Sequence, residues 1–276
     1  MRRSRNVLLL ILAALSMATL LATKLLTTKG QQPPSQQITK ETLDERVGRL
    51  PVTDFVVYEA PDTEKKLLRR ARNARHDSSA GPDGIKRSVL NDRMEPVLLD
   101  LPLSDQREEP ALPASNSDVV VIGSVADVKA YLSNDRTNVY SEVTLGIEEV
   151  LKKDPRYTLI PGLALAAERP GGAVRFPSGK ILRRGDLGRN IPQAGQRYVL
   201  FLKYNEDGED FSIVTGYELV ANQVLPLDGT DNLEKGGRFP QFRAYERYRG
   251  AEASAFLNNV RAVINAEAGH SVRGQR

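Results

Sequence analysis

From residue 118 onward the chain alternates apolar and polar side chains in short runs, each bounded by glycine or turn residues. That is the period-2 signature of half-buried strands. "DVVVIGSVADVKAYL" (118–132) is a β-branched run broken at Gly123, and "SNDRTN" (133–138) is a loop of hairpin length. In the following "NVYSEVTLGIEEVL", Val139, Val143, Leu145 and Ile147 share one face and Tyr140, Glu142, Thr144 and Glu148 the other. The odd-numbered set predicts a strand face turned into a core. "YTLIPGLALAAE" is a third strand interrupted at Pro161-Gly162, and "AVRFPSGKILRRGD" a hairpin turning at Pro177-Ser178-Gly179. "QRYVLFLKY" is apolar on both faces, as a central strand is. "NEDGED" (205–210) turns it into "FSIVTGYELVANQVLPLD", which supplies one or two more strands. In "AEASAFLNNVRAVINAEAG", Phe256, Val260, Val263 and Ile264 fall at i, i+4, i+7 and i+8, an amphipathic helix with Gly269 at its predicted end.

Upstream the pattern is weaker. "ITKETLDERVGRL" (38–50) reads as a short helix and "DFVVYEA" (54–60) as a short strand. "DTEKKLLRRARNAR" (62–75) is a helix with Asp62 or Thr63 as its cap and Leu67, Leu68, Ala71 and Ala74 along one side. "HDSSAGPDGIK" is turn chemistry and "PALPASNSD" an extended linker. The fold class expected is mainly β: a small antiparallel OB-like barrel of five to six strands closed by a C-terminal α-helix, preceded by an N-terminal transmembrane or signal helix.

The extreme N-terminus carries that last expectation. "MRRSR" precedes an apolar run, Val7 to Leu26, with no charge before Lys24. A run of this length crosses a hydrocarbon core of about 30 Å. Ser16-Met17-Ala18 also places small residues where a signal peptidase cuts. The two readings are an uncleaved anchor facing the periplasm or cell exterior, and secretion after cleavage near Ala18. In both, the arginines stay inside and the remainder is exported. The organisation expected is 1–26 signal anchor or signal peptide, 27–37 a Gln/Pro/Ser-rich spacer and 38–115 a partly ordered basic region and linker. Residues 116–268 then form the barrel with its closing helix, and 269–276 a tail.

Composition narrows the chemistry. The 276 residues include no Cys, which removes disulfides, thiolate metal sites and thiol nucleophiles. The net charge of +4 divides into +3 for residues 1–115 (18 Lys and Arg against 15 Asp and Glu) and +1 for residues 116–276 (21 against 20). A near-neutral barrel offers nucleic acid only a local patch, so none is expected as a partner.

The run from "DVVVIGSVADVKAYLSNDRTNVYSEVTLGIEEVLKKD" through "GGAVRFPSGK" to "GQRYVLFLKYNEDGEDFSIVTGYEL" resembles a domain of uncharacterised exported bacterial proteins. Its marks are a "VxGxV" opening strand, a "YxxVTLxVEEVLKG"-like second strand, "GxRYVLFL" and a closing helix. The layout is similar to the OB-like barrel of tissue-inhibitor and netrin-like modules, over about residues 118–228. The resemblance implies a fold, not a catalytic site. The cysteines with which tissue-inhibitor modules chelate a protease metal are missing, so that mechanism does not carry over.

Hydrolytic motifs are absent. There is no G-x-S-x-G elbow, and His76 and His270 are the chain's two histidines. With these alone and no Cys, no metal site is expected, nor any cofactor. Glu142 and Glu148 share a strand face but stand roughly 20 Å apart along it, beyond the reach of a glycosidase pair. Asn205, Asp207 and Asp210 around Gly208 have the oxygens of a Ca²⁺ loop and equally the residues of a hairpin turn.

Two basic clusters remain. Lys65, Lys66, Arg69, Arg70, Arg72 and Arg75 make a basic helix suited to an anionic membrane surface or an acidic partner, or else packed on the barrel by its leucines with the charges in water. Lys180, Arg183, Arg184 and Arg189, with Asp186 among them, are placed in a Gly-rich loop as a binding face. The function expected is a non-enzymatic extracytoplasmic interaction module binding an envelope protein or an anionic polymer, tied to the membrane through residues 7–26. The alternatives are a carboxylate-dependent cell-wall hydrolase using groups such as Glu142 and Asp186, and a purely architectural barrel.

Overall fold

Val119–Leu132 and Val139–Lys152 form the longest strands, β3 and β4, antiparallel and joined by the 133–138 loop. The computed structural model describes residues 45, 48–55, 64–78, 89–95, 97–100, 108–186, 188–229 and 240–273. All of these belong to the compact unit Glu41–Arg276. The apolar run from Val7 to Leu26, its cleavage site near Ala18 and the spacer lie outside the described residues. Among the described residues no helix is long and apolar enough to cross a membrane.

In chain order the elements are β1 (Val52–Asp54), α1 (Glu64–Arg75), β2 (Val97–Asp100), β3, β4, β5 (Ala164–Pro170), β6 (Gly172–Arg175) and β7 (Ile181–Asp186). They continue with β8 (Arg197–Asn205), β9 (Asp210–Val220), β10 (Gln223–Pro226), a 3-10 helix (Pro240–Tyr248) and α2 (Ala253–Arg273). The chain is mainly β. A six-stranded sheet runs β10-β9-β5-β4-β3-β8, and β8 also pairs with β9. Its pairings are antiparallel except for β5 with β9. A smaller four-stranded sheet runs β1-β6-β7-β2.

The alternation read from the sequence is realised in β4. Val143, Leu145 and Ile147 enter a core with Val119, Val121, Leu165, Leu200, Leu202, Phe211 and Ile213. On the opposite side of β3, β8 and β9 lies a second layer of Val120, Ile122, Val199, Phe201, Tyr217 and Leu219, covered by Tyr245, Phe256 and Val260. Phe256 and Val260 are fully buried, and Val263 and Ile264 pack beside them, so the predicted stripe of α2 is the face it buries. Two close approaches require glycine. A Cβ on Gly123 would lie 2.5 Å from the Gly146 carbonyl oxygen, and one on Gly216 2.5 Å from Leu200 Cδ2.

Several expectations are corrected. The third strand starts only at Ala164, because Pro161-Gly162 makes a turn in which the Gly162 N–H bonds to the Ile147 oxygen. The helix α2 runs through Gly269 to Arg273 instead of ending there. The supposed linker 110–118 is anchored: Leu112 and Ala114 are buried, and Tyr217 donates to the Ala111 carbonyl. Of the run 54–60, Asp54 ends β1 and residues 56–60 lie outside the described residues. The 180–190 segment is no loop at its start, since Ile181–Asp186 is β7, paired with β6 and β2.

Candidate functional site: an arginine helix on an acidic sheet face

The outward face of β4 and its neighbours carries carboxylates. Glu142 lies directly opposite Glu168 of β5, and Asp210 begins β9 one residue before the pairing of Phe211 with Ala167. Like charges facing each other across strands destabilise a sheet unless something neutralises them. Here α1 does so.

Its side chains reach down at a helical spacing of three. Arg69 forks onto Glu142, Nη1 to Oε2 at 2.9 Å and Nη2 to Oε1 at 3.0 Å. Arg72 donates from Nη1 to the same Oε2 at 2.6 Å and from Nε to the Gly208 carbonyl at 2.9 Å, with Asp210 Oδ2 3.2 Å away. Arg75 spreads over three acids: Nε to Glu168 at 2.8 Å, Nη2 to both oxygens of Asp210 at 2.6 and 2.7 Å, and Nη1 to Asp207. Planar guanidiniums suit this bidentate duty in a way that ammonium groups do not.

Aromatic groups complete the seat. Tyr140 donates to Asn73 Oδ1 at 2.7 Å and accepts from Arg69 Nη1 at 3.1 Å. Its ring stacks on His76, centroids 4.1 Å apart, while the Arg69 guanidinium lies 3.7 Å over the Tyr131 ring. His76 Nε2 stands 3.2 Å from Glu168 Oε2. Both atoms are buried, and neither makes a hydrogen bond of good geometry.

The acids are deeply covered. Asp210 has no exposed side-chain surface, and the Glu168 side chain is 3% exposed. Burial alone would raise the pKa of Glu142, but hydrogen bonds from Arg69 and the charges of Arg69 and Arg72 hold it below the usual range. Glu168 is likewise opposed by burial and held low by His76 and Arg75. Asp210 goes the other way: burial and then the charge of Glu168 push it up to about 6 despite Arg75 and Arg72.

Thus α1 is the predicted basic helix, but the face it docks is not the expected one. Leu67 is 58% exposed and Leu68 partly buried, while Arg69, Arg72 and Arg75 are turned onto the sheet. Leu67 stays outside because the sheet beneath offers buried carboxylates, whose desolvation cations offset. Arg70 is exposed, and its carbonyl accepts from Asn134 Nδ2. Lys66 is partly buried, and Lys65 lies in the first turn of α1.

The second cluster is dispersed into the framework. Lys180 Nζ donates to the carbonyls of Asp92 and Met94, both at 2.6 Å. Arg184 is buried and donates to the Thr137 carbonyl. Arg189 pairs with Glu109 and bonds to the Val214 carbonyl. Arg183 is partly exposed on β7. Beside the end of α1 a cleft of about 220 Å³ is lined by Arg75, His76, Asn138, Gly171, Arg184 and Asp186 among others.

No family model matches this chain, and no curated protein matches it.

Glu142 lies beneath Arg69 and Arg72, whereas Asp186 lines the cleft. The "NEDGED" carboxylates Asp207 and Asp210 face guanidiniums, and Asn205 Nδ2 bonds to Ser212 Oγ and Asp210. Among the described residues no group of three or more His, Asp or Glu side chains is arranged to hold a metal. Sequence reasoning missed Glu168, His76 and Tyr140 as members of one site. The outward position of Tyr140 and Glu142 on β4 was the available signal.

Proposed function

We propose that the chain is a non-enzymatic, extracytoplasmic interaction module built on an OB-like barrel and borne on the N-terminal apolar segment, residues 7–26, or released near Ala18. The pairing of β8 with both β3 and β9, together with the parallel β5–β9 pair, supports a closed five-stranded barrel with β10 appended. One observation carries the functional reading. The acids of the face that a carboxylate mechanism would recruit, Glu142, Glu168 and Asp210, are ion-paired within the fold. A general acid or base needs a proton-accepting group within reach of substrate, and guanidiniums occupy these oxygens.

The same accounting favours an envelope protein over an anionic polymer or a nucleic acid. Lys180, Arg184 and Arg189 are engaged on carbonyls and on Glu109, so this cluster does not present a row of water-facing cations to a polyanion. The test is affinity capture of the full chain from native envelope membranes, run beside retention on immobilised polyanion and digestion of purified cell-wall material. A discrete protein captured in stoichiometric amount, without polymer retention at physiological salt and without released sugar fragments, is the expected result. Polymer binding or wall digestion would overturn the reading.

The hydrolase reading retains one favourable observation, Glu142 directly opposite Glu168 on adjacent strands. It requires α1 to lift away. Wall digestion by a chain carrying Arg69→Ala, Arg72→Ala and Arg75→Ala would restore it.

A further inference from the structure

The contact between α1 and the sheet is made by side-chain tips. The backbone of α1 makes no extensive close approach to any strand, and long guanidiniums span the interval. Leu67 points to water, as do Arg70 and Ala74 one and two turns on.

The seat, by contrast, is built on the six-stranded sheet and the turn before β9. Glu142, Glu168 and Asp210 stand on three hydrogen-bonded neighbouring strands, and Asp207 on the turn that precedes Asp210. It holds one guanidinium in a fork on Glu142 and another on Asp210, and Tyr131 and Tyr140 supply aromatic surface. Within it Glu168 Oε2, on a side chain 3% exposed, faces His76 Nε2 at 3.2 Å without a hydrogen bond of good geometry. The seat carries four carboxylates against the guanidiniums of Arg69, Arg72 and Arg75. A helix of only 12 residues is marginal in water on its own, so α1 owes its order to the seat.

We propose that this acidic seat is a recognition site for an arginine-bearing helix of a partner protein, with arginines at i, i+3 and i+6, and that α1 is its occupant within the chain. The proposal rests on the interaction-module reading and names the partner's chemistry. A partner helix with this spacing competes with α1 for the same carboxylates. Because ion pairs and hydrogen bonds dominate the contact, it is exchangeable and sensitive to salt.

The test titrates a fluorescent peptide of residues 64–78 into the full chain carrying Arg69→Ala, Arg72→Ala and Arg75→Ala. Expected is saturable binding that weakens by roughly tenfold or more between 0.1 M and 1 M salt, as the Debye length falls from about 10 Å to about 3 Å. Glu142→Gln with Glu168→Gln in the same host should abolish it. The wild-type chain, its seat filled, should bind more weakly. Binding that is absent, or unchanged by the two Gln substitutions, overturns the proposal.

Should the triple variant fail to fold, Arg72→Ala alone is compared with wild type. Tighter peptide binding by that variant supports the competition, and equal binding overturns it. Peptide binding without any captured envelope protein would keep the seat and sink the interaction-module reading. A captured protein indifferent to both Gln substitutions would do the reverse.

Discussion

Arg72 joins two strands: its Nη1 lies 2.6 Å from Glu142 Oε2 on β4 and its Nε 3.2 Å from Asp210 Oδ2 on β9. The same Nε bonds to the Gly208 carbonyl, so one side chain ties α1 to a strand, a second strand and the turn before it. Its side chain is 14% exposed and that of Asp210 not exposed at all. In such surroundings, deleting one partner leaves a buried charge uncompensated.

Arg72→Ala is therefore expected to lower stability by about 3 kcal/mol, the low end for a broken buried pair, because Arg75 still covers Asp210. Arg72→Lys should recover only part, since an ammonium cannot bridge both acids and the carbonyl. Adding Arg69→Ala to Arg72→Ala should cost less than the two single changes summed, because both guanidiniums contact the same Glu142 oxygen. Urea denaturation of the three variants measures this, and strict additivity would argue that α1 is held by something else.

Leu67→Ser provides the contrast. If α1 docked by its leucines, this change would cost what burying a leucine contributes, about 2 kcal/mol. With Leu67 58% exposed, the expected change is within about 0.5 kcal/mol. A thermal melt of the single variant decides it.

The acids predict a pH dependence of two signs. Asp210 is pushed from 3.8 up to about 6, so between those values the folded chain binds more protons than the unfolded one. Through that window this group lowers stability as pH rises. Glu142 and Glu168 are held below 4.5. Their contribution is present above that value and is lost as pH falls through their folded values. Asp210→Asn should remove the falling limb, so that the variant gains on wild type between about pH 4 and pH 6 in denaturation measured across that range. Curves that stay parallel across that window would show that Asp210 is not the group involved.

The strands were legible because each needs only its own local pattern: β4 alternates, with Val143, Leu145 and Ile147 facing inward, and β8 is apolar on both faces as a central strand is. The helix α1 was legible as a helix for the same local reason. Its docking face was not, because Arg69, Arg72 and Arg75 meet Glu142, Glu168 and Asp210, acids 70 to 138 positions distant along the chain. Only strand register brings those acids together, and register is a property of the assembled sheet. The 180–189 cations misled in a similar way. Lys180 and Arg184 end on the backbone carbonyls of Asp92, Met94 and Thr137, acceptors that leave no mark in a sequence.

A second buried pair, remote from α1 in its bonding, tests the framework. Arg169 Nη2 lies 2.6 Å from Asp228 Oδ2, with side chains 1% and 0% exposed. The guanidinium also donates to the carbonyls of Asn190 and Val214, and Asp228 accepts from Thr215 Oγ1 and the Asn190 N–H. This network fastens β5 to β9 and to the segment after β10 through groups that have no access to water. Arg169→Met should cost about 3–5 kcal/mol by stranding the Asp228 charge. Asp228→Leu alone should cost a similar amount by stranding the guanidinium. The double variant removes both charges, and it should recover a large part of either loss, since well-packed apolar groups replace buried ion pairs at little cost. Guanidinium denaturation of the two single variants and the double variant closes the cycle. A double variant as unstable as the sum of the singles would mean that the carbonyl bonds to Asn190 and Val214, and not the ion pair, are what Arg169 contributes.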